Sequence, residues 1–272
     1  MATFNRDDVS IFYRDQGQGQ PVLLLHGHTL DGRVFETLAS RLEAAGMRPL
    51  RPDFRGHGRS TRPPCGYHWS DHCADVEAVL DEAGVERAEI VGFSLGGGVA
   101  LELALERPDR VGKLVLMSPV MPDRPFEPAF MANLKAVAMV ARTEGIQAAM
   151  EGPWMQSPLF AVSLEKAGVQ KAVEEIVRDF PGAEYLAEAR DRVVRDWNVP
   201  DRLGEIRADT LVLVGEREMP GFMAFTQEAA QGISGARLEI IPGSGHLLPL
   251  EAEDLVAGLI LEHFGRTVFA ES

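Results

Sequence analysis

Short apolar runs alternate with longer segments of helical period along most of the chain. Val22-Leu23-Leu24-Leu25 reads as a strand without a polar position, and Val34 to Ala45 follows it with Phe35, Leu38, Ala39 and Leu42 at helical spacing. The pair recurs as a short strand at Arg48 to Arg51 and a helix from Ser70 to Ala83, where Val76, Val79 and Leu80 share a face. Ala88 to Val91, Leu95 to Glu106 and Lys113 to Met117 read as strand, helix and strand, and Thr210 to Val214 and Leu238 to Ile241 as two more strands. This alternation predicts an α/β fold of right-handed βαβ units around a mostly parallel central sheet. Strands that are apolar throughout predict helices on both faces. Thr3 to Arg6 and Val9 to Asp15 are more polar and closely joined, which predicts an antiparallel hairpin at one edge.

The alternation stops between Met117 and Thr210. Residues 119–202 carry helical patterns near Pro128 to Arg142, Glu144 to Met155, Leu164 to Asp179 and Ala183 to Trp197, with no convincing strand. The predicted organisation is therefore a discontinuous core, residues 1–118 and 203–272, interrupted by a helical cap over residues 119–202. An insertion after the carboxyl end of a strand sits over the rim where open α/β sheets bind ligands, so it reads as a lid. Trp154, Phe160 and Trp197 within it, with Phe130 and Met131 near its entrance, are the candidate substrate-binding side chains. Ordinary packing between lid helices is the competing account of these residues.

Gly92-Phe93-Ser94-Leu95-Gly96 follows a strand directly and opens a helix. A serine on so sharp a turn is presented at the top of the sheet, and its glycines avoid clashes that a larger residue would suffer. A serine hydroxyl needs a base to take its proton. Of seven histidines, His246 lies just beyond the strand ending at Ile241, at the same rim. Glu218, after the preceding strand, is placed to orient that imidazole, in the chain order Ser94, Glu218, His246. The backbone N–H groups of Leu95 and of His28, in the loop after Leu25, are the candidate oxyanion donors. His26, in the same loop, reads as structural.

Composition narrows the partners. With 41 Asp and Glu against 27 Lys and Arg, the formal net charge of −14 argues against nucleic acid and anionic membranes. No run approaches the ~20 apolar residues of a membrane span, the amino terminus lacks a leader pattern, and two cysteines fit a reducing compartment, so the expectation is a cytoplasmic protein. Cys65, His68, His72 and Cys73 crowd together, but adjacent His72 and Cys73 would point to different sides of a helix, so no metal is expected there. The oligomeric state is not legible.

Together these segments resemble the α/β-hydrolase superfamily: His26-Gly27 after the early strand, Asp53-Phe54-Arg55-Gly56-His57-Gly58-Arg59-Ser60 after the next, the serine elbow, the inserted helices, Gly215 to Glu218, and Gly245-His246. The resemblance is strongest to small bacterial carboxylesterases, enol-lactonases, carbon–carbon bond hydrolases and cofactor-free haloperoxidases. It implies a serine hydrolase acting on a small or medium ester, or a lactone, through an acyl-enzyme, without a metal or organic cofactor. Family members usually carry aspartate where this chain has Glu218, and some supply the acid from the position of Asp123, which stays open as an alternative. Serine at the elbow separates the chain from haloalkane dehalogenases and epoxide hydrolases, which use aspartate there. Arg55, His57 and Arg59 are read as bracing their loop. A ligand sensor on the same scaffold is the rival from another class.

Overall fold

A computed structural model describes residues 2–6, 9–186 and 198–266. Eight strands form one sheet in the order β1-β2-β4-β3-β5-β6-β7-β8, where β1 is Ala2–Arg6, β2 Val9–Asp15, β3 Gln20–Leu25, β4 Met47–Pro52, β5 Ala88–Phe93, β6 Val111–Met117, β7 Thr210–Gly215 and β8 Arg237–Ile241. The first two strands pair antiparallel at one edge, β2 runs antiparallel to β4, and every later pairing is parallel. Val22 to Leu25, Leu114 to Met117 and Leu211 to Val214 are sealed from solvent, as expected of strands covered on both faces.

Sequence and topology together explain the covering layers. From β3 the chain passes through α1 (Glu36–Ala44) to β4 on one side, then through α2 (Trp69–Glu82) to β5 on the other. Right-handed crossovers in opposite directions put those helices on opposite faces. The next helix, α3 (Leu95–Glu106), is apolar apart from Glu102 and its terminal Glu106, and its residues Gly96 to Leu105 are buried, so it forms the central buried helix. Because the strand order reverses at β3, a crevice opens between the carboxyl ends of β3 and β5, the usual ligand position of such sheets. His28 and Ser94 follow those two ends.

Among the described residues no strand occurs between Met117 and Thr210. That segment contains α4 (Pro128–Thr143), a run of short turns, and α5 (Ala167–Arg178). The helix expected over Glu144 to Met155 is instead broken: Ile146–Ala149 is one turn, and Met150–Trp154 is a wide turn with Gly152 at φ −94°, ψ −109°. Pro153 is the cause, since proline disfavours helical backbone in the residue before it and offers no N–H. Of the helix expected from Ala183, Ala183–Leu186 is described; Trp197 lies outside the described residues. Two helices that periodicity did not single out, α6 (Pro220–Gly232) and α7 (Glu253–His263), complete the layers, and α7 packs on α1. Among the described residues no helix is long and apolar enough to cross a membrane.

Candidate active site

Ser94 sits between β5 and α3 at φ 53°, ψ −113°, left-handed backbone that a residue with a Cβ adopts at a cost. The neighbouring glycines explain how it is held there. A Cβ at Gly96 would overlap the Leu25 carbonyl oxygen, and one at Gly92 would lie 2.5 Å from the Gly96 carbonyl oxygen. The Gly96 N–H donates to the His26 carbonyl at 3.0 Å, and the Ser94 carbonyl accepts from Gly97, Gly98 and Val120. The serine side chain is buried at the rim with its hydroxyl donating to His246 Nε2 at 3.1 Å.

On the other edge of that ring, His246 Nδ1–H donates to Glu218 Oε2 at 2.8 Å, and Glu218 Oε1 accepts the Met219 N–H at 2.7 Å. Glu216, two residues earlier, points away and accepts the Gly243 N–H. Asp123 accepts the Val199 N–H at 3.2 Å, a contact within the inserted segment and its exit. The structure thus brings Ser94, His246 and Glu218 into one hydrogen-bonded chain. Glu251 braces the loop bearing His246: its carboxylate accepts from the Gly245 N–H and the Ser163 hydroxyl, and Lys166 donates to its carbonyl.

Leu95 follows Ser94 in the chain and His28 follows Gly27, where a Cβ would lie 3.3 Å from the Ser94 Cβ; neither Leu95 N–H nor His28 N–H donates to a backbone acceptor among the described residues. His26 organises their loop from below. Its Nε2 accepts the Phe54 N–H at 2.9 Å and its Nδ1–H donates to the Gly27 carbonyl at 2.8 Å; burial lowers its pKa to about 4. The Arg55 guanidinium grips Asp75 through two 2.6 Å hydrogen bonds, and the Arg59 N–H donates to Asp53. Of the four residues weighed as a metal cluster, Cys73 is buried with its thiol 3.6 Å from the Val99 carbonyl, Cys65 is exposed, and the set does not gather around a common point.

Apolar walls close on the imidazole. Phe222, from α6, lies 4.4 Å from the His246 ring and Phe93 lies 5.2 Å from it, centroid to centroid. Phe126, Phe130 and Phe225 continue that wall at 5.0 to 5.8 Å from one another or from Phe222. Trp154 is buried, donates its indole N–H to the Thr29 hydroxyl at 2.8 Å, and meets Phe160 edge-on at 5.5 Å. Met131, one position after buried Phe130, faces out of α4 and is 37% exposed, because adjacent helical residues diverge by about 100°. Phe222 was not among the residues read from the sequence; its place two residues past a helix-opening proline, beside the acid, was the available signal. A separate open cleft of about 780 Å³ lies at the amino ends of the strands, bordered by Gln20, Arg48, Arg87, Lys113 and Arg207, away from Ser94.

A family model for the alpha/beta hydrolase fold matches residues 20–253. The chain is an alpha/beta hydrolase. Over 254 residues the hydrolase is 28% identical to the 2-hydroxy-6-oxo-6-phenylhexa-2,4-dienoate hydrolase of Comamonas testosteroni, covering 91% of this chain and 88% of the relative. Among solved structures it is similar to Est816, described as an N-acyl homoserine lactone degrading enzyme, at 29% identity and a TM-score of 0.79 over 96% of this chain and 99% of the other. It is also similar to the esterase EaEST from Exiguobacterium antarcticum, at 25% identity and a TM-score of 0.83 over 97% and 98% of the two chains. Hydrolases of esters, lactones and carbon–carbon bonds are thus all among its relatives.

Proposed function

We propose that this alpha/beta hydrolase is a serine esterase cleaving a small or medium carboxylic ester, with Ser94, His246 and Glu218 as its catalytic triad. The observation that carries the reading is the continuous hydrogen-bonded chain from Ser94 through His246 to Glu218, with the serine held on a left-handed turn. His246 Nε2 takes the hydroxyl proton as Ser94 Oγ bonds to the carbonyl carbon, and Glu218 stabilises the imidazolium so formed. The Leu95 and His28 N–H groups receive the negative charge on the carbonyl oxygen. Collapse expels the alcohol, which leaves with the proton from His246. Water, deprotonated by the same imidazole, then releases the carboxylic acid and restores Ser94. Every proton moves within these residues and water, so the route requires no cofactor.

In this reading residues 119–202 are a cap over a core made of residues 1–118 and 203–272, and the Phe126, Phe130 and Phe222 wall supports an apolar acyl or alcohol group. The substrate is a small molecule, and the acidic surface fits a cytoplasmic enzyme without nucleic-acid or membrane partners. A lactone is the second reading, favoured by the likeness to Est816 along nearly the whole chain. Reaction with a fluorophosphonate, followed by a panel of p-nitrophenyl esters, lactones and carbon–carbon substrates, tests both. Steady ester turnover abolished in Ser94→Ala is the expected result. Turnover of lactones alone would move the assignment to the second reading, and labelling with a single slow burst would replace the enzyme by a ligand sensor.

A further inference from the structure

Beside the oxyanion loop lies a second cluster that the proposed reaction does not use. His28 follows β3, His57 follows β4, and Glu184 comes from the Ala183–Leu186 turn of the inserted segment. One candidate ligand atom from each of the three lies within 4.8 Å of the other two. His57 is 1% exposed, and its Nε2 is buried with no hydrogen-bond partner. Its Nδ1 lies 3.0 Å from the Arg55 carbonyl, which can only accept, so Nδ1 carries the proton and Nε2 a lone pair. A buried lone pair without a donor is a cost that a folded protein ordinarily removes.

His28 repeats the arrangement. Its Nε2 lies 2.8 Å from the Tyr185 hydroxyl, an acceptor when Nε2 holds the proton, which leaves Nδ1 with a lone pair 2.9 Å from Glu184 Oε1. Glu184 Oε1 is itself a buried atom with no assigned hydrogen-bond donor. Two imidazoles and a carboxylate are the ligand types of zinc-class cations, and the outer nitrogen of a metal-binding imidazole is characteristically held by a carbonyl, carboxylate or hydroxyl. Here the Arg55 carbonyl and the Tyr185 hydroxyl hold both outer nitrogens.

We infer that His57 Nε2, His28 Nδ1 and the Glu184 carboxylate form a binding site for a divalent transition cation of the zinc class, three protein ligands with the remaining position open to water. The ion would join two loops of the sheet rim to the inserted segment, within one residue's reach of the His28 N–H. Its role is to fasten that segment over the site, and no step of ester cleavage passes through it.

The test uses the whole chain after chelator treatment, titrated with Zn²⁺ by calorimetry and with Co²⁺ by visible absorption. The expected result is saturable binding of about one ion per chain with cobalt ligand-field bands of a low-coordinate nitrogen and oxygen site. Glu184→Gln and His57→Gln should each weaken binding by more than about 100-fold, and Tyr185→Phe by about 10-fold, as befits a residue that only orients a ligand. Glu184 is partly exposed, so its variant is expected to fold, which an unchanged melting curve in chelator checks. Absence of saturable binding, or binding undiminished in both ligand variants, overturns the site. Because the readout is metal affinity, either result stands apart from the outcome of the esterase assays.

Discussion

Glu218 Oε2 lies 2.8 Å from His246 Nδ1, with a side chain that is fully buried beneath the imidazole. The longer acid therefore reaches the ring from the turn after β7. Replacing Glu218 with Ala should lower kcat by about 10⁴-fold with little change in KM, the loss typical of a residue that orients the base. Asp123→Ala should leave kcat close to wild type, since Asp123 binds the Val199 N–H. Steady-state kinetics on a responsive ester decide the matter: a dead Asp123 variant beside an active Glu218 variant would transfer the acid's role.

Three buried rings make a stability prediction in acid. Burial lowers the pKa of His26 to about 4 and of His57 and His72 to about 3. Between the ordinary histidine value and those lowered ones, the unfolded chain binds protons that the folded chain refuses, so stability rises with pH across the window. It is fully present above about pH 6.5 and is lost as pH falls toward 4, by an amount on the order of 3 kcal/mol for each ring. Urea midpoints of the chelator-treated protein from pH 7.5 to 4.5 should fall steeply; a flat series would mean the rings are not neutral in the folded state.

Gly96→Ala should destabilise the fold by about 3 kcal/mol or more, because the added methyl would overlap the Leu25 carbonyl oxygen at the end of β3. Relief requires β3 and α3 to part, which also separates the His28 and Leu95 N–H groups. Chemical denaturation and fluorophosphonate labelling should consequently fail together in this variant. Normal labelling in a protein of wild-type stability would contradict the close approach.

Phe222 joins stability to specificity. Its ring is 2% exposed and packs 4.4 Å from His246, so Phe222→Ala should cost about 3–5 kcal/mol of stability. Phe222→Leu keeps most of the volume and should instead raise KM for aromatic or long-chain esters more than for acetate. Comparing kcat/KM across an acyl-length series checks this; an identical proportional loss for every ester would show that the ring only supports the imidazole.

The sheet was legible because its strands are apolar runs bounded by turn residues. The meeting of Ser94, His246 and Glu218 was legible because each follows such a run at the rim. The inserted segment was harder to read. Periodicity counts apolar positions and does not register that Pro153 interrupts the second helix, so Glu144 to Met155 looked continuous. Neither could it see that α4 turns Phe130 inward and Met131 outward at a boundary where both are apolar. The pairing of His28 and His57 with Glu184 spans more than a hundred residues of chain and leaves no local pattern; only the packing of two rim loops against the segment brings them together.

The Val120 N–H donates to the Ser94 carbonyl at 2.9 Å, and Asp123 ties the way out of the core to Val199 on the way back in. The segment between Met117 and Thr210 is thus tied at its upstream end to the Ser94 peptide itself. Any swing of the inserted helices that leaves Ser94 undisturbed must pivot beyond Val120, in the proline-punctuated stretch from Met121 to Glu127. A displacement taken up nearer the core would pull directly on the elbow through the Val120–Ser94 hydrogen bond.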